Sequence, residues 1–301
     1  MAVTLHKQAN CGFVMLNSPP VNAINQKMRE DLIDAVTWAE SEGLERVILS
    51  GMGRSFAAGA DTKEFDQPAI SPHLPDVVNR IETSTVPWIA AIHGTALGGG
   101  GELALGCRYR IARANATIGF PEVVLGLVPG AGATQRLPRL VGLAEALKLI
   151  PTGKIISGKA AMAIGLVNAI DDDPVAAAKL IDQKILSEAV PLSLMKAGTD
   201  KTVSYDTARQ LAIRRMRGQE APLTAISLLE TAQTATFDDG MQKERNAFLA
   251  LRASSQARAL RHIFFAERAA KKPPKAIEKQ NPTLKPLNHV IVIGGGTMGS
   301  G

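Results

Sequence analysis

This 301-residue chain is poor in several things. It has two cysteines, Cys11 and Cys107. Two are too few for a disulfide framework, and neither stands in a CxxC pair or beside clustered histidines, which argues against a disulfide scaffold and a metal site. The same scarcity points to a reducing compartment, read as cytoplasmic with the peroxisome left open. Aromatic residues make up 4% of the chain against 46% hydrophobic residues, so any core must be aliphatic and rich in alanine. No apolar run reaches the ~18 residues of a membrane span. The opening stretch, MAVTLHKQANCGFVML, lacks the basic-then-apolar order of a secretory signal.

An excess of positive over negative charge is slight as well, except at one place. The net charge is +6, but residues 271–285 contain five lysines against Glu278, a local +4 that leaves only +2 for everything else. Basicity confined to a segment punctuated by Pro273, Pro274 and Pro282 reads as a solvated tether, not as a patterned face for nucleic acid. No nucleic-acid partner is expected.

Short apolar runs alternate with helical spacing through the first third. Phe13–Leu16, Val47–Leu49, Trp88–Ile92, Arg110–Ala112 and Thr117–Gly119 read as strands. Between the first two, Asn25–Glu42 places Met28, Leu32, Ala35, Val36 and Ala39 on one helical face. This alternation predicts an α/β fold with a mostly parallel sheet. After about residue 140 the pattern turns helical: Leu143–Leu149, Lys159–Ile164, Val175–Ala189, Thr207–Arg217 and Leu223–Thr234. Asp238 or Asp239 is a candidate cap for one long helix running to about Ala270. No internal repeat at a solenoid period is visible.

The last residues differ again. Asn288–Ile293 reads as a buried strand, followed by Gly294, Gly296 and Gly299, the order that opens a dinucleotide-binding unit. The chain stops at Gly301, before the helix and ribose-binding acid that would complete an NAD site.

Chemistry concentrates where charge is least expected. Glu102 and Glu122 stand in ALGGGGELALG and IGFPEVVLGL, surroundings that penalise an ionised carboxylate and make each a candidate acid or base. The glycines from 98 to 101 lie between a strand and a helix start, so their N–H groups lack intrahelical partners and favour negative charge. With a second N–H from the Ser55–Asp61 turn they could form an oxyanion hole. The alternative is a strand–turn–helix packing motif whose glycines only permit close approach. His93 closes a strand beside this run, but no Ser/His/Asp order accompanies it, and a structural role is expected.

The segments SPPVNAIN, FAAGADTKEF, VPWIAAIHGTALGGGGELALGCRYRIA and IGFPEVVLGLVPGAGATQRLPRLVG resemble the crotonase (enoyl-CoA hydratase/isomerase) superfamily over approximately residues 3–190. The later stretches FLALRASSQARALRHIFFAERAA and HVIVIGGGTMGSG resemble the linker and dehydrogenase start of multifunctional β-oxidation enzymes. The resemblance implies a crotonase-like spiral of ββα units with a helical C-terminal region. The implied division is a crotonase core over 1–190, its helical part over 191–237, a linker helix and tether over 238–286, and a truncated Rossmann start over 287–301. It further implies that the N–H groups of Ala60 and Gly99 cradle a thioester carbonyl. Asp61, Thr62 and Lys63 match the CoA-contact segment, although a freely solvated Lys63 is the plainer reading. Gly130 matches a position that helps hold the catalytic water, and the Val21–Ala23 loop another ligand-lining stretch. Glu102 would activate water and Glu122 would deliver a proton, converting trans-2-enoyl-CoA to 3-hydroxyacyl-CoA; movement of a 3-enoyl double bond to the 2 position is also implied.

No cofactor is expected for hydration, since CoA is carried by the substrate; NAD would serve only a dehydrogenase domain. The partners implied are an acyl-CoA thioester and that further domain, with assembly into a homo-oligomer left open. Competing readings are another crotonase-fold hydrolase or synthase, and a non-enzymatic RNA-binding relative. Gly101, just before Glu102, departs from relatives that carry varied side chains there.

Overall fold

The computed structural model describes residues 1–198, 203–271, 288–289, 291–294 and 296. The chain forms two compact units, Met1–Arg261 and His262–Gly301.

The first unit opens with an antiparallel hairpin, β1 (Val3–Gln8) and β2 (Cys11–Leu16), in which Val3 faces Leu16 and Gln8 faces Cys11. Helix α1 (Gln26–Ser41) begins where the Asn25 side chain accepts from Met28 N, satisfying one orphan N–H. It buries the predicted face, Met28, Leu32, Ala35, Val36 and Ala39. From there each turn of the chain lays one strand in a large sheet, one in a small sheet, and then usually a helix. The first turn is β3 (Arg46–Gly51), β4 (Ser55–Ala57) and α2 (Leu74–Glu82). The second is β5 (Trp88–Ile92), β6 (Thr95–Leu97) and α3 (Gly99–Gly106). The third is β7 (Tyr109–Ala112), β8 (Thr117–Gly119), a 3-10 turn over Pro121–Leu125, and α4 (Ala133–Val141).

Then follow α5 (Leu143–Leu149), β9 (Ile155–Ser157), α6 (Gly158–Ala163), β10 (Ala169–Ile170), α7 (Pro174–Lys179), α8 (Gln183–Glu188), α9 (Tyr205–Arg215), α10 (Ala221–Thr234), α11 (Phe237–Ala253) and α12 (Ser255–Ala270). The strand order is β1-β2-β3-β5-β7-β10 in one sheet and β4-β6-β8-β9 in the other. Strands β3, β5 and β7 pair in parallel, as do β4, β6 and β8, so the chain winds as a spiral of ββα turns. The strands β3, β5 and β7 start at residues 46, 88 and 109, which is why no fixed period shows in the sequence.

The core is aliphatic, with Leu16, Ile24, Met28, Leu32, Leu49 and Ile92 among its fully buried members. Burying such side chains stabilises by ~1.5–3 kcal/mol each. Few aromatics join them; Phe56, Trp88 and Phe120 are fully enclosed. Among the described residues no helix is long and apolar enough to cross a membrane.

Three expectations need correction. Val175–Ala189 is two helices, because Asp182 caps a fresh start by accepting from Lys184 N, and the intervening Leu180 is 85% exposed. The long helix to Ala270 is likewise divided: Thr236, not Asp238 or Asp239, is the cap, and Ser254 takes an extended conformation between α11 and α12. In the second unit the described part of Asn288–Ile293 forms no strand, and Ile291, Val292 and Ile293 are exposed. An apolar run becomes a buried strand only when neighbours cover it. The lysine-rich segment beyond Lys271 lies outside the described residues, as does Gly299, while Gly294 and Gly296 stand in irregular backbone.

Candidate active site

The site forms where the second and third turns of the spiral meet. Strand β6 ends at Leu97, and Gly98 turns the chain into α3 with φ +51. A side chain there would be strained in this left-handed region, and its Cβ would stand 2.8 Å from Glu122 Oε1. Glycine at 98 therefore lets Glu122 lie directly over the turn. The segment leaving β4 of the preceding turn, Ala58–Asp61, runs alongside: a Cβ on Gly99 would be 3.4 Å from Ala60 N. Ile24 fixes this connection by bonding to Gly59 O through its N–H (2.9 Å) and accepting from Asp61 N (3.0 Å). Among the described residues neither Ala60 N nor Gly99 N has an acceptor. Two neighbouring unpaired N–H groups, one of them at the start of a helix, make an anion-seeking pocket.

Two carboxyls stand beside that pair in contrasting states. Glu102 occupies the first turn of α3 and is 3% exposed. Its Oε1 accepts from Ala131 N at 2.8 Å and Ala133 N at 3.1 Å. Burial raises its pKa above the usual carboxylate value, while those two N–H groups and the Arg136 guanidinium oppose the rise. Glu122, on the 3-10 turn, is half-buried as a whole, yet its Oε2 is shielded from solvent and has no hydrogen-bond partner among the described residues. Burial first, then the charge of Glu102, pushes its pKa well above the usual range. Of the two, Glu102 is the easier to ionise and Glu122 the one that keeps a proton. The arrangement can take a proton at one carboxyl and give one at the other, beside amides that stabilise an oxyanion.

The remaining expected residues are less uniform. Ala23 lies in the Val21–Ile24 strip that bonds along Ala58–Asp61, with Ala58 N donating to Val21 O. Asp61 caps the short 62–64 turn by accepting from Lys63 N, Thr62 is half-buried, and Lys63 is exposed. Ala60 and Asp61 help line a cavity of about 150 Å³ that also includes Phe65, Leu74, Phe248 and Arg252; neither Glu102 nor Glu122 lines it. Gly130 is half-buried, and a Cβ there would stand 2.8 Å from the Phe248 ring. The His93 Nε2 is 3.0 Å from Gly53 O, a contact that ties two loops together. Gly101 is explained by close packing, since a Cβ would stand 2.8 Å from the Phe120 ring.

Sequence reasoning missed three residues that build the site. Asn22, at φ +54, donates to Met52 O, Ser55 O and Phe56 O and accepts from Ser18 N, anchoring the strip beside Ala60. Arg136, fully buried, bonds Ala131 O and pairs with Glu82 at 2.7 Å, holding the loop that faces Glu102. Glu244 on α11, also fully buried, accepts from Gly132 N and Thr134 N on the same loop. Asn22 lay inside the Val21–Ala23 stretch without a role of its own, although a turn-forming residue in SPPVNAIN was a signal for it.

A parallel ββα spiral with an unpaired amide couple at a helix start and two buried carboxyls beside it is the crotonase class of enzyme. The chain belongs to the enoyl-CoA hydratase/isomerase family, whose model matches residues 6–248. It is 37% identical to the peroxisomal bifunctional enzyme of Cavia porcellus, over 100% of this chain and 43% of that protein. It is 38% identical to a probable enoyl-CoA hydratase of Bacillus subtilis (strain 168), over 71% of this chain and 88% of that protein. The chain thus spans about two fifths of the length of the bifunctional relative. Among solved structures, enoyl-CoA hydratase subunit I of Geobacillus kaustophilus HTA426 is 31% identical with a TM-score of 0.53, covering 91% of this chain and 97% of that one. An enoyl-CoA hydratase/isomerase of Pseudoalteromonas atlantica T6c shares the fold with a TM-score of 0.66, at 23% identity over 89% and 98% of the two chains.

Proposed function

We propose that the chain adds water across the double bond of a trans-2-enoyl-CoA to give the 3-hydroxyacyl-CoA, as a step of fatty-acid oxidation. The observation that carries this is the contrast between the two carboxyls: one oriented by two N–H donors, the other buried without a partner on Oε2. The thioester oxygen accepts hydrogen bonds from Ala60 N–H and Gly99 N–H, which stabilise the enolate as it forms. Glu102 takes a proton from water as the water oxygen bonds to C3, and Glu122 gives its proton to C2. In reverse the two exchange roles. Gly130 and the Asp61–Lys63 segment are assigned to the water and to CoA. No cofactor is proposed beyond the CoA that the substrate carries.

A carboxyl with no partner on Oε2 can also serve two carbons, so isomerisation of 3-enoyl-CoA to the 2-enoyl thioester is proposed as a second activity of Glu122: in its ionised form it takes the C2 proton and returns that proton to C4 as the double bond moves. In a longer protein the 3-hydroxyacyl product is the substrate class of an NAD-dependent dehydrogenase, the role proposed for a domain opening at Gly294 and Gly296. The compartment proposed is a reducing one, cytoplasm or peroxisome, consistent with the unpaired Cys11 and Cys107.

The test is the loss of enoyl absorbance on adding the protein to trans-2-enoyl-CoA of several chain lengths, run beside Glu102→Gln and Glu122→Gln. Turnover by the wild type and its loss in both variants is expected. Full turnover in either variant removes that residue from the mechanism, and no turnover by the wild type at any length defeats the proposal.

A further inference from the structure

The loop from Gly130 to Thr134 leads into α4, and its four successive N–H groups are orphans of the kind every helix start leaves. Its cap residue is Gly132, at φ +107, which has no side chain to satisfy them. Two remote carboxylates do so instead, in strict alternation. Ala131 N and Ala133 N donate to Glu102; Gly132 N donates to Glu244 Oε1 at 2.6 Å and Thr134 N to Glu244 Oε2 at 2.8 Å. The Thr134 hydroxyl adds a third bond to Glu244, at 2.5 Å, while accepting from the Gln135 side chain. Helix α11 delivers Glu244 by pressing one face on this loop: Gly240 meets the Gln135 side chain and Phe248 covers Gly130. The spacing of 240, 244 and 248 is one side of a helix.

Because the donors alternate along one short stretch of backbone, no peptide plane between 131 and 134 can rotate without breaking a bond to one carboxylate or the other. We propose, building on the hydratase reading above, that Glu244 is a positioning residue: it locks the loop that aims Ala131 N and Ala133 N at Glu102 and so sets the orientation of the catalytic base. Glu244 touches no reacting atom. It makes the helical C-terminal part of the chain a structural component of the active site.

The charge of Glu244 has a second consequence. Its charged neighbours are Glu102 on α3, Glu122 on the 3-10 turn and Arg245 on its own helix, while Arg136 on α4 reaches the same loop at Ala131 O. Burial and the proximity of Glu102 push its pKa up to about 8, and once ionised it raises the proton affinity of Glu122. Loss of that charge lowers the pH at which Glu122 gives up its proton.

The experiment compares Glu244→Gln with wild type in two measurements. Hydrogen exchange of the amides at 131 and 133, measured above about pH 8 where Glu244 is ionised, is expected to quicken, because a glutamine offers one acceptor oxygen where the carboxylate offers two. In the hydration assay kcat is expected to fall roughly ten- to a hundredfold through misorientation, with KM within about threefold. The alkaline limb of the kcat/KM profile is expected to move to lower pH, a change that a merely structural role would not produce. Unchanged exchange at 131 and 133, or an unmoved alkaline limb with unchanged kcat, overturns the inference. If the glutamine variant does not fold, Thr134→Val replaces it: without the hydroxyl, Glu244 holds its proton more tightly, and the alkaline limb must again move down; an unmoved limb counts against the proposal. A wild type without enoyl-CoA turnover defeats the hydratase reading, and Glu244 is then judged by exchange alone.

Discussion

Replacing Glu102 by glutamine separates chemistry from structure at one atom. Oε1 of the carboxylate accepts from Ala131 N and Ala133 N, and the amide oxygen of glutamine can accept both. What the substitution removes is basicity. General-base catalysis is worth about 10²–10⁴-fold, or ~3–5 kcal/mol of transition-state stabilisation. Turnover of a 2-enoyl-CoA, followed by loss of enoyl absorbance, should therefore fall by about that factor with KM little changed. The melting temperature should not fall, because a buried group whose ionisation is disfavoured has been replaced by a neutral one. Glu102→Ala should be equally inactive but less stable, since it strands two buried N–H donors at ~1–3 kcal/mol each. A glutamine variant that keeps turnover within about tenfold of wild type would refute the assignment of the base. An alanine variant as stable as the glutamine one would show that the two hydrogen bonds carry no structural weight.

Other consequences are simpler to state. Glu102, Glu122 and Glu244 all have raised pKa values in the folded protein, so the native state holds protons that the unfolded chain releases. Stability should accordingly be greatest at low pH with respect to this cluster, fall as pH rises past the unfolded carboxylate value, and go on falling through about 8; denaturant midpoints from pH 5 to 9 should show a shallower decline for Glu122→Gln, and parallel slopes would contradict this. The same Glu122→Gln variant should lose 3-enoyl-CoA isomerisation, read as the appearance of conjugated product, unless a different residue carries the proton between C2 and C4. Arg136 pairs with Glu82 inside the protein, where neither side chain is more than 2% exposed. Arg136→Ala should cost ~3–5 kcal/mol in urea unfolding, because it leaves Glu82 charged and unpaired, whereas an exposed pair would cost under ~1 kcal/mol.

The two carboxyls assigned to the proposed reaction stood out in sequence because each contradicts its own neighbourhood: an acid amid glycine and leucine demands a reason. Glu244 contradicts nothing locally. It stands in QKERN, on a helix whose first turn holds Asp238 and Asp239, and reads as solvated charge. Its burial follows only from where α11 lands, and the sole local hint is the small and large residues, Gly240 and Phe248, four positions to either side. Strands showed the same limit. The six-residue β2 and β3 displayed their apolar runs, and of the three-residue strands only β8 was read, while β4, β6 and β9 are too short for any period to emerge. Helices α7 and α8 merged into one expectation because a cap such as Asp182 is indistinguishable from a surface acid until the chain turns there. Yet the short strands β4 and β6, paired in parallel, lead into the segments where Ala60 of one turn lies against Gly99 of the next. Chemistry that depends on one residue's mismatch with its surroundings can be read from the string. The pairing of two amides from different turns was named in sequence only through the family resemblance, because no spacing between residues 60 and 99 encodes their contact.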